Sequence, residues 1–412
     1  MTNIYIAGIS MTRFGPRPDA TIKSMSQEAV SAALVDANAT KADIEAAYFA
    51  NVAQDVIEDQ ATIAGQIALN ACGITGIPVA NVENACASGS TAVWLGINQL
   101  KAGSADIVLA LGAEKLVFED KLLLARSMKA FEGGVDVTQM DEIQKRLAAL
   151  GRGIESPDGS GHRSFFMDIY ANLAKAHMNA FGTTQRQMAV VASKNHQHST
   201  LNDKCHYNKP MTVEEVLAGR QLAYPLTVPM CSPFSDGAAA AVLVNDAGLK
   251  KLGSDRAVRI MACELTSATK RSWDDLEQHT CRRAARAAYE AAGVGPDDID
   301  VAEVHDAASF GEIMQTELLG FCDFGGGGPL AESGATRLGG RIPVNVSGGL
   351  ECKGHPLGAT GIGQLYELTT QVRGEAGNRQ VENARIAIQE NGGGLLGIEE
   401  ASAVVTILGR PA

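Results

Sequence analysis

One pattern in this chain occurs twice, and it constrains the fold more than any other feature. Residues 28–52 read EAVSAALVDANATKADIEAAYFANV and residues 282–306 read RRAARAAYEAAGVGPDDIDVAEVHD. At one constant offset Ala33 lies over Ala288, Asp43 over Asp298 and Ile44 over Ile299. Each copy spells an Ala-rich helix, a short polar connection and an apolar strand. A duplicated α/β layer of this kind cannot bury its own sheet, so each copy must lend the other a face.

The periodicity extends the duplication. A strand is expected over 3–9, a helix over 24–37 and a strand over 46–52; in the second copy a helix is expected over 281–292 and a strand over 301–304. Apolar strands at 106–110 and 384–389 form a further pair, and each half closes on an apolar run, AAAAVLV at 238–244 and ASAVVTIL at 401–408. Strands alternating with helices imply mixed sheets covered by helices. Residues 114–233 have no counterpart in the second half and carry candidate helices at 140–150, 165–181 and 184–196. This insertion reads either as a specificity element over the catalytic face or as a peripheral stabilising subdomain. The boundaries expected are 1–247 for the first half, with the insertion at about 115–232, and 248–412 for the second.

With 412 residues and 45% hydrophobic content, the chain is long enough for two domain-sized halves. A net charge of −12 argues against a nucleic-acid surface, because such surfaces are basic. No window approaches the roughly 18 apolar residues of a membrane span, and the first residues lack the pattern of a secretory leader, so a soluble cytoplasmic protein is expected. The eight cysteines are scattered without a C-x-x-C pair, which suggests neither a zinc site nor a disulfide framework.

Four stretches carry chemistry. In PVANVENACASGS, Cys86 precedes a run of small residues that opens a helix. A helix N-terminus offers unpaired N–H groups and the positive end of the macrodipole, which favour a thiolate; alone, Cys86 reads equally as a nucleophile or a buried thiol. In VHDAAS, His305 and Asp306 follow a strand end, where α/β folds place functional groups. In VNVSGGLECKGHPLGATGIG, several glycines surround His355, a setting hard to explain as packing. In IQENGGGLLG, Glu390 and Asn391 precede Gly392 and Gly393. The other histidines read as solvated or structural; His196 and His198 have a metal-like spacing but no third ligand nearby.

NACASGS around Cys86, HDAAS at His305, GHPLGATG at His355 and the final NGGG together resemble the four active-site loops of thiolases, specifically the sterol-carrier-protein and archaeal type. The resemblance implies an α/β thiolase fold, five-layered αβαβα, built from two duplicated halves with an inserted loop domain, and a homodimer. It also implies a 3-oxoacyl-CoA cleaved or formed through an acyl-Cys86 intermediate, with coenzyme A as co-substrate and no covalently bound cofactor or metal. By resemblance His355 is the base that activates Cys86, and His305 supplies an oxyanion-hole or proton-transfer contact. The backbone N–H groups of Cys86 and of Gly392 or Gly393 form a second oxyanion hole.

One departure stands out. Thiolases carry a second cysteine, and at its two possible positions this chain has Glu390 and Ala307. His305, Glu390 or Cys352 are the available substitutes, with Asn391 in the same loop, and His305 is favoured because a histidine titrates near working pH. Relatives lacking that cysteine often work with a small zinc-ribbon and OB-fold partner that helps to bind CoA. Phe165, Phe166, Tyr170 and Phe181 would suit a bulky or aromatic acyl group such as that of benzoylsuccinyl-CoA. The alternatives are a thiolase-like aldolase or lyase acting on a side-chain acyl-CoA, and a non-catalytic CoA-binding scaffold subunit.

Overall fold

The computed structural model describes residues 2–155 and 165–410; residues 156–164 of the insertion lie outside the described residues. Eleven strands are present among the described residues: β1 (Ile4–Met11), β2 (Ala46–Ala50), β3 (Val79–Val82), β4 (Ile107–Glu114), β5 (Gln221–Ala223), β6 (Leu226–Thr227), β7 (Gly237–Asn245), β8 (Val258–Ser267), β9 (Val301–Glu303), β10 (Ile386–Gly393) and β11 (Ser402–Gly409). Nine of them join in the order β3-β2-β4-β7-β1-β8-β11-β10-β9, while β5 and β6 pair separately.

The duplication is visible in that order. β1 and β8 meet antiparallel at the middle, Ile4 opposite Ile260. Outward from this seam one half runs β1-β7-β4-β2-β3 and the other β8-β11-β10-β9. A parallel bridge from Ala302 to Val344 stands where β3 stands in the first half. The repeated motif folds alike in both copies. Helix Ile22–Asp36 leads through a 3₁₀ turn at Lys41–Asp43 into β2, and helix Thr280–Ala292 leads through a 3₁₀ turn at Pro296–Asp298 into β9. Thr21 closes the start of the first helix through a reciprocal cap with Ser24.

Each half-sheet needs cover on two faces. Helix Ile22–Asp36 packs on β1 and β7, and helix Thr280–Ala292 packs on β8 and β11. Between the half-sheets lie two central helices, Ser88–Lys101 and Leu357–Arg373, which touch each other and both half-sheets. Val93, Ile97, Leu100, Ile362, Leu365 and Leu368 are all buried there. The layers are therefore α, β, α, β, α. The small residues of ACASGS allow the central helices to cross closely: a Cβ on Gly89 would lie 2.7 Å from the carbonyl oxygen of Gly358, and one on Gly361 would lie 2.1 Å from Ser90 Oγ. Their role is to admit a neighbouring backbone, which tightens the site from below.

The insertion lies against the second half. Its helix Gln185–Ser199 is almost wholly buried and packs on helices Ser309–Leu318 and Gly349–Lys353. Helix Phe165–Phe181 packs on helices Lys121–Glu132, Met140–Leu150 and Ser309–Leu318. No helix among the described residues is long and apolar enough to cross a membrane.

Candidate active site

Cys86 stands in a tight turn two residues before the first central helix. Ala85 there adopts φ +47, a left-handed conformation that costs an alanine about 1–2 kcal/mol. The turn is held by Ser88 Oγ, which accepts from Asn84 N at 2.8 Å and donates to Ala85 O at 2.6 Å. Two backbone N–H groups reach the sulfur, that of Cys86 itself and that of Gly394, and both favour the thiolate. They do not prevail. Protein surrounds most of the sulfur, and burial, with the Glu114 charge adding to it, pushes the thiol up to about 12. The expectation of a resting thiolate is thus corrected: desolvation outweighs the helix terminus, and Cys86 rests as a thiol.

His355 follows Gly354, whose φ of +103 turns the chain into the second central helix. Its Nδ1 lies 2.7 Å from Thr360 Oγ1, and that hydroxyl donates to Pro356 O at 3.0 Å. The hydroxyl proton is thereby committed, so Nδ1 is the donor and Nε2 presents a lone pair. Nε2 lies 3.2 Å from Cys86 Sγ. His305 Nε2 is 3.5 Å from the same nitrogen. Burial lowers His305 to about 4, and burial with the neighbouring His305 holds His355 well below the ordinary histidine value. Both imidazoles are neutral at pH 7.

The loop bearing His305 is fixed through backbone and carboxylates. Glu390 Oε2 accepts from His305 N at 3.0 Å, and Asp306 Oδ1 accepts from Leu350 N at 2.7 Å, tying this loop to the one that ends in His355. Asn195 of the insertion donates to Asp306, Glu312 and Glu351. Burial and the neighbouring carboxylates raise Asp306 well above the ordinary range, so this cluster holds protons at neutral pH.

The structure brings Cys86, His305 and His355 together and leaves the other expected residues outside. Glu390 spends its second oxygen on Cys281 Sγ at 3.3 Å, and burial, then the Glu400 charge, raises it to about 8. It supports His305 and does not line the cavity. Asn391 Oδ1 accepts from Ser90 Oγ between the central helices. Gly392 and Gly393 end β10: a Cβ on Gly392 would meet Glu400, and one on Gly393 would meet the turn at Asn84 and Ala87. The N–H that reaches the sulfur is one residue further on, at Gly394, where φ is +63. Cys352 is fully buried and does not line the cavity, whereas Ala307 does. His198 spends both ring nitrogens on backbone, at Asn345 O and Leu338 N.

Glu114 was not anticipated. It ends β4 and accepts from the backbone N–H of Val52, Ala53 and Gly358 and from Asn51 Nδ2. It therefore anchors the start of the His355 helix; burial raises it to about 7. The only signal was a charged residue closing an apolar strand.

Above the sulfur lies a cavity of about 280 Å³, which meets solvent beside Asp55, Val56 and Glu83. Phe131, Phe166 and Tyr170 line it. Phe165 packs edge-on to Phe166, while Phe181 packs on His177 and stays outside. Two groups among the described residues have the proximity of metal ligands: Cys86, His305 and His355, and His279, Cys281 and Glu400. The first is accounted for by the hydrogen bonds given above. In the second, His279 Nδ1 accepts from Cys281 N, so its proton sits on Nε2 facing Glu400.

Comparison with known proteins agrees with this geometry. The family model "Thiolase, N-terminal domain" matches residues 4–247 and "Thiolase C-terminal domain-like" matches residues 263–410. Acetyl-CoA acetyltransferase of Methanothermobacter thermautotrophicus is 38% identical over the whole of both chains. Sterol carrier protein 2 of Oryctolagus cuniculus is 36% identical, over 99% of this chain and 72% of that one. Benzoylsuccinyl-CoA thiolase subunit BbsB of Thauera aromatica is 28% identical over 95% and 94%. A solved structure titled "Ltp2-ChsH2(DUF35) aldolase" shares the fold, with a TM-score of 0.75 at 20% identity over 99% of this chain and 98% of that one. The chain belongs to the thiolase family.

Proposed function

We propose that this protein is an acyl-CoA C-acyltransferase that cleaves or forms a 3-oxoacyl-CoA through an acyl-Cys86 intermediate. The observation that carries the reading is the 3.2 Å contact from Cys86 Sγ to a His355 Nε2 whose lone pair is fixed by Thr360. In the cleavage direction the thiol proton passes to His355 Nε2 as sulfur attacks the 3-keto carbon, so charge appears only when substrate is bound. The C2–C3 bond then breaks, its electron pair stays on the departing CoA thioester as an enolate, and a proton is delivered to C2. His305, 3.5 Å from His355, is the group we assign to that delivery and to the enolate oxygen: its Nε2 proton goes to C2 and is replaced by the proton that His355 took from Cys86. CoA thiol then takes the acyl group from Cys86 and returns the proton. The N–H groups of Cys86 and Gly394, which reach the Cys86 sulfur, are the donors we assign to the oxyanion that develops beside it, and a donor in such a hole is worth about 3–4 kcal/mol.

The aromatic lining of the cavity supports a bulky or aromatic acyl group. An assembly accompanies the reading: a cytoplasmic homodimer, with a small zinc-ribbon and OB-fold partner contributing to CoA binding. It is supported by the open edge of the sheet at β3, where Ala80 and Asn81 are exposed, and by one relative named as a subunit. A second reading, an aldolase that forms no acyl-enzyme, is favoured by Ala307 in place of a second cysteine. Initial-rate kinetics separate the two. An acyl-enzyme gives parallel double-reciprocal lines when CoA and 3-oxoacyl-CoA are varied; product release without any requirement for free CoA sinks the transferase reading.

A further inference from the structure

Beside the Cys86 cavity lies a smaller chamber of about 40 Å³, and the two share Phe166, Tyr170 and Gly394. Its walls are apolar, with Leu173, Phe310 and Met314, but one end is polar. There Gln315, only 1% exposed, points its amide nitrogen at Glu400 Oε1 (3.2 Å) and Cys281 Sγ (3.5 Å). That orientation leaves Gln315 Oε1 buried without a hydrogen-bond partner. A buried acceptor without a donor costs about 1–3 kcal/mol, and the side chain that carries this one is part of the chamber wall. His279 cannot provide the donor, since its Nε2 proton is directed at Glu400 Oε2, 3.3 Å away. Among the described residues no lysine or arginine lines either cavity, while Glu399 and Glu400 line the chamber.

We propose that this chamber selects acyl groups bearing a hydroxyl close to the thioester, the hydroxyl donating to Gln315 Oε1, and that it rejects a free carboxylate at the same place. The inference rests on Cys86 as the acyl carrier and narrows the substrate class of that site. Gly394 sets the reach, because its N–H faces the Cys86 sulfur and its backbone borders the chamber, so an acyl chain on sulfur meets the chamber within a few bonds. Size sets the limit. At roughly 10–15 Å³ per water-sized group, the chamber admits about three non-hydrogen atoms; a ring stays in the larger cavity with Phe131 and Phe166.

Calorimetric binding to the full-length Cys86→Ala protein tests this without turnover, using butanoyl-CoA, 3-hydroxypropanoyl-CoA and malonyl-CoA, which end in a methyl, a hydroxyl and a carboxylate. The hydroxyl compound is expected to bind about tenfold more tightly than butanoyl-CoA, as one buried hydrogen bond allows, with malonyl-CoA the weakest. In Cys86→Ala combined with Gln315→Met, the hydroxyl-to-methyl ratio falls to about one. Equal binding of hydroxyl and methyl to Cys86→Ala overturns the proposal, as does malonyl-CoA ranking first or a preference that survives Gln315→Met. The ranking on Cys86→Ala decides the matter even if the double variant does not fold. Mass analysis of the wild-type protein with 3-oxoacyl-CoA keeps the two readings apart. An adduct on Cys86 without hydroxyl preference removes only the chamber, and a preference without any adduct removes only the transferase.

Discussion

Cys86 and His355 occupy the same place in two copies of one design, each two residues ahead of a central helix. In the first half that place holds a thiol, in the second an imidazole, and the pairing of the halves sets them 3.2 Å apart. The strand ends beside them have diverged in the same crosswise manner. β4 ends in the Glu114 carboxylate, which receives the N–H of Gly358 at the start of the other half's helix. β10 ends in Gly393, and the bare N–H of Gly394 beyond it reaches Cys86. Each half therefore completes the other's helix terminus, one with an acceptor and one with a donor. Duplication supplied two facing positions, and the chemistry lies in their difference.

The largest expected effect comes from erasing that difference on the thiol side. Cys86→Ser lowers kcat by about 10⁴-fold, because a hydroxyl beside a neutral histidine is a far poorer nucleophile. Retention of a tenth of wild-type turnover would remove Cys86 from the chemistry. On the imidazole side, His355→Gln slows acyl-enzyme formation, followed by quenched flow, by about 10²–10⁴-fold as expected of a lost general base. An unchanged acylation rate would show that another group takes the thiol proton.

Glu114→Gln disturbs the anchor without touching the nucleophile. Each carboxylate oxygen accepts two N–H groups, so the one replaced by NH₂ strands two donors, and a loss of about 2–6 kcal/mol, about 1–3 for each donor, is expected in urea unfolding. A change under 0.5 kcal/mol would mean that the carboxylate does not hold the His355 helix.

Stability should also depend on pH in an uncommon direction. Glu114, Glu351 and Glu390 are raised from 4.5 to about 7, 8 and 8, chiefly by burial. The folded protein therefore keeps protons on these carboxyls that the unfolded chain releases above 4.5, and their contribution to stability falls as pH rises from 4.5 through about 8. The buried histidines, lowered by burial, act in the opposite direction below about 6.5, so thermal melts between pH 7 and 8 should show Tm declining, and Glu390→Gln should flatten the decline; a rising Tm there would contradict these protonation states. The smallest effect concerns rate. With His305 lowered to about 4 and His355 well below its ordinary value, kcat/KM is flat from pH 6 to 8 and falls only as His305 gains a proton toward pH 4. A break near 6.5 would mark an ordinary, solvated histidine.

Much of this was legible in the chain. The repeat around Asp43 and Asp298 announces itself because the same short-range rules act twice, and both copies fold through a 3₁₀ turn at Lys41–Asp43 and Pro296–Asp298. Cys86 and His355 stand out because glycine and other small residues cluster around them, and in the fold Gly89 and Gly361 let the central helices cross closely; His305 stands out by following a strand end. What remained illegible depends on contacts between the halves. Gly394, rather than Gly392 or Gly393, turns its N–H to the sulfur because β10 runs to Gly393 before φ becomes positive. Glu114 looked like the end of an apolar strand until the Gly358 N–H arrived from the other half. The Cys86 pKa was misjudged because a helix terminus is local and desolvation is not. Gln315 and His279 gave no signal, since it is the insertion's helix, with Phe166, Ile169, Tyr170 and Leu173, that helps to turn their neighbourhood into a chamber.

The most direct test is the intact mass of the protein, quenched in acid within the first turnover after mixing with a 3-oxoacyl-CoA, followed by peptide mapping. The account predicts a mass increase equal to the acyl group, located on Cys86 and discharged by added CoA. Product formation in the wild-type protein with no acyl mass on Cys86 at any quench time would contradict it.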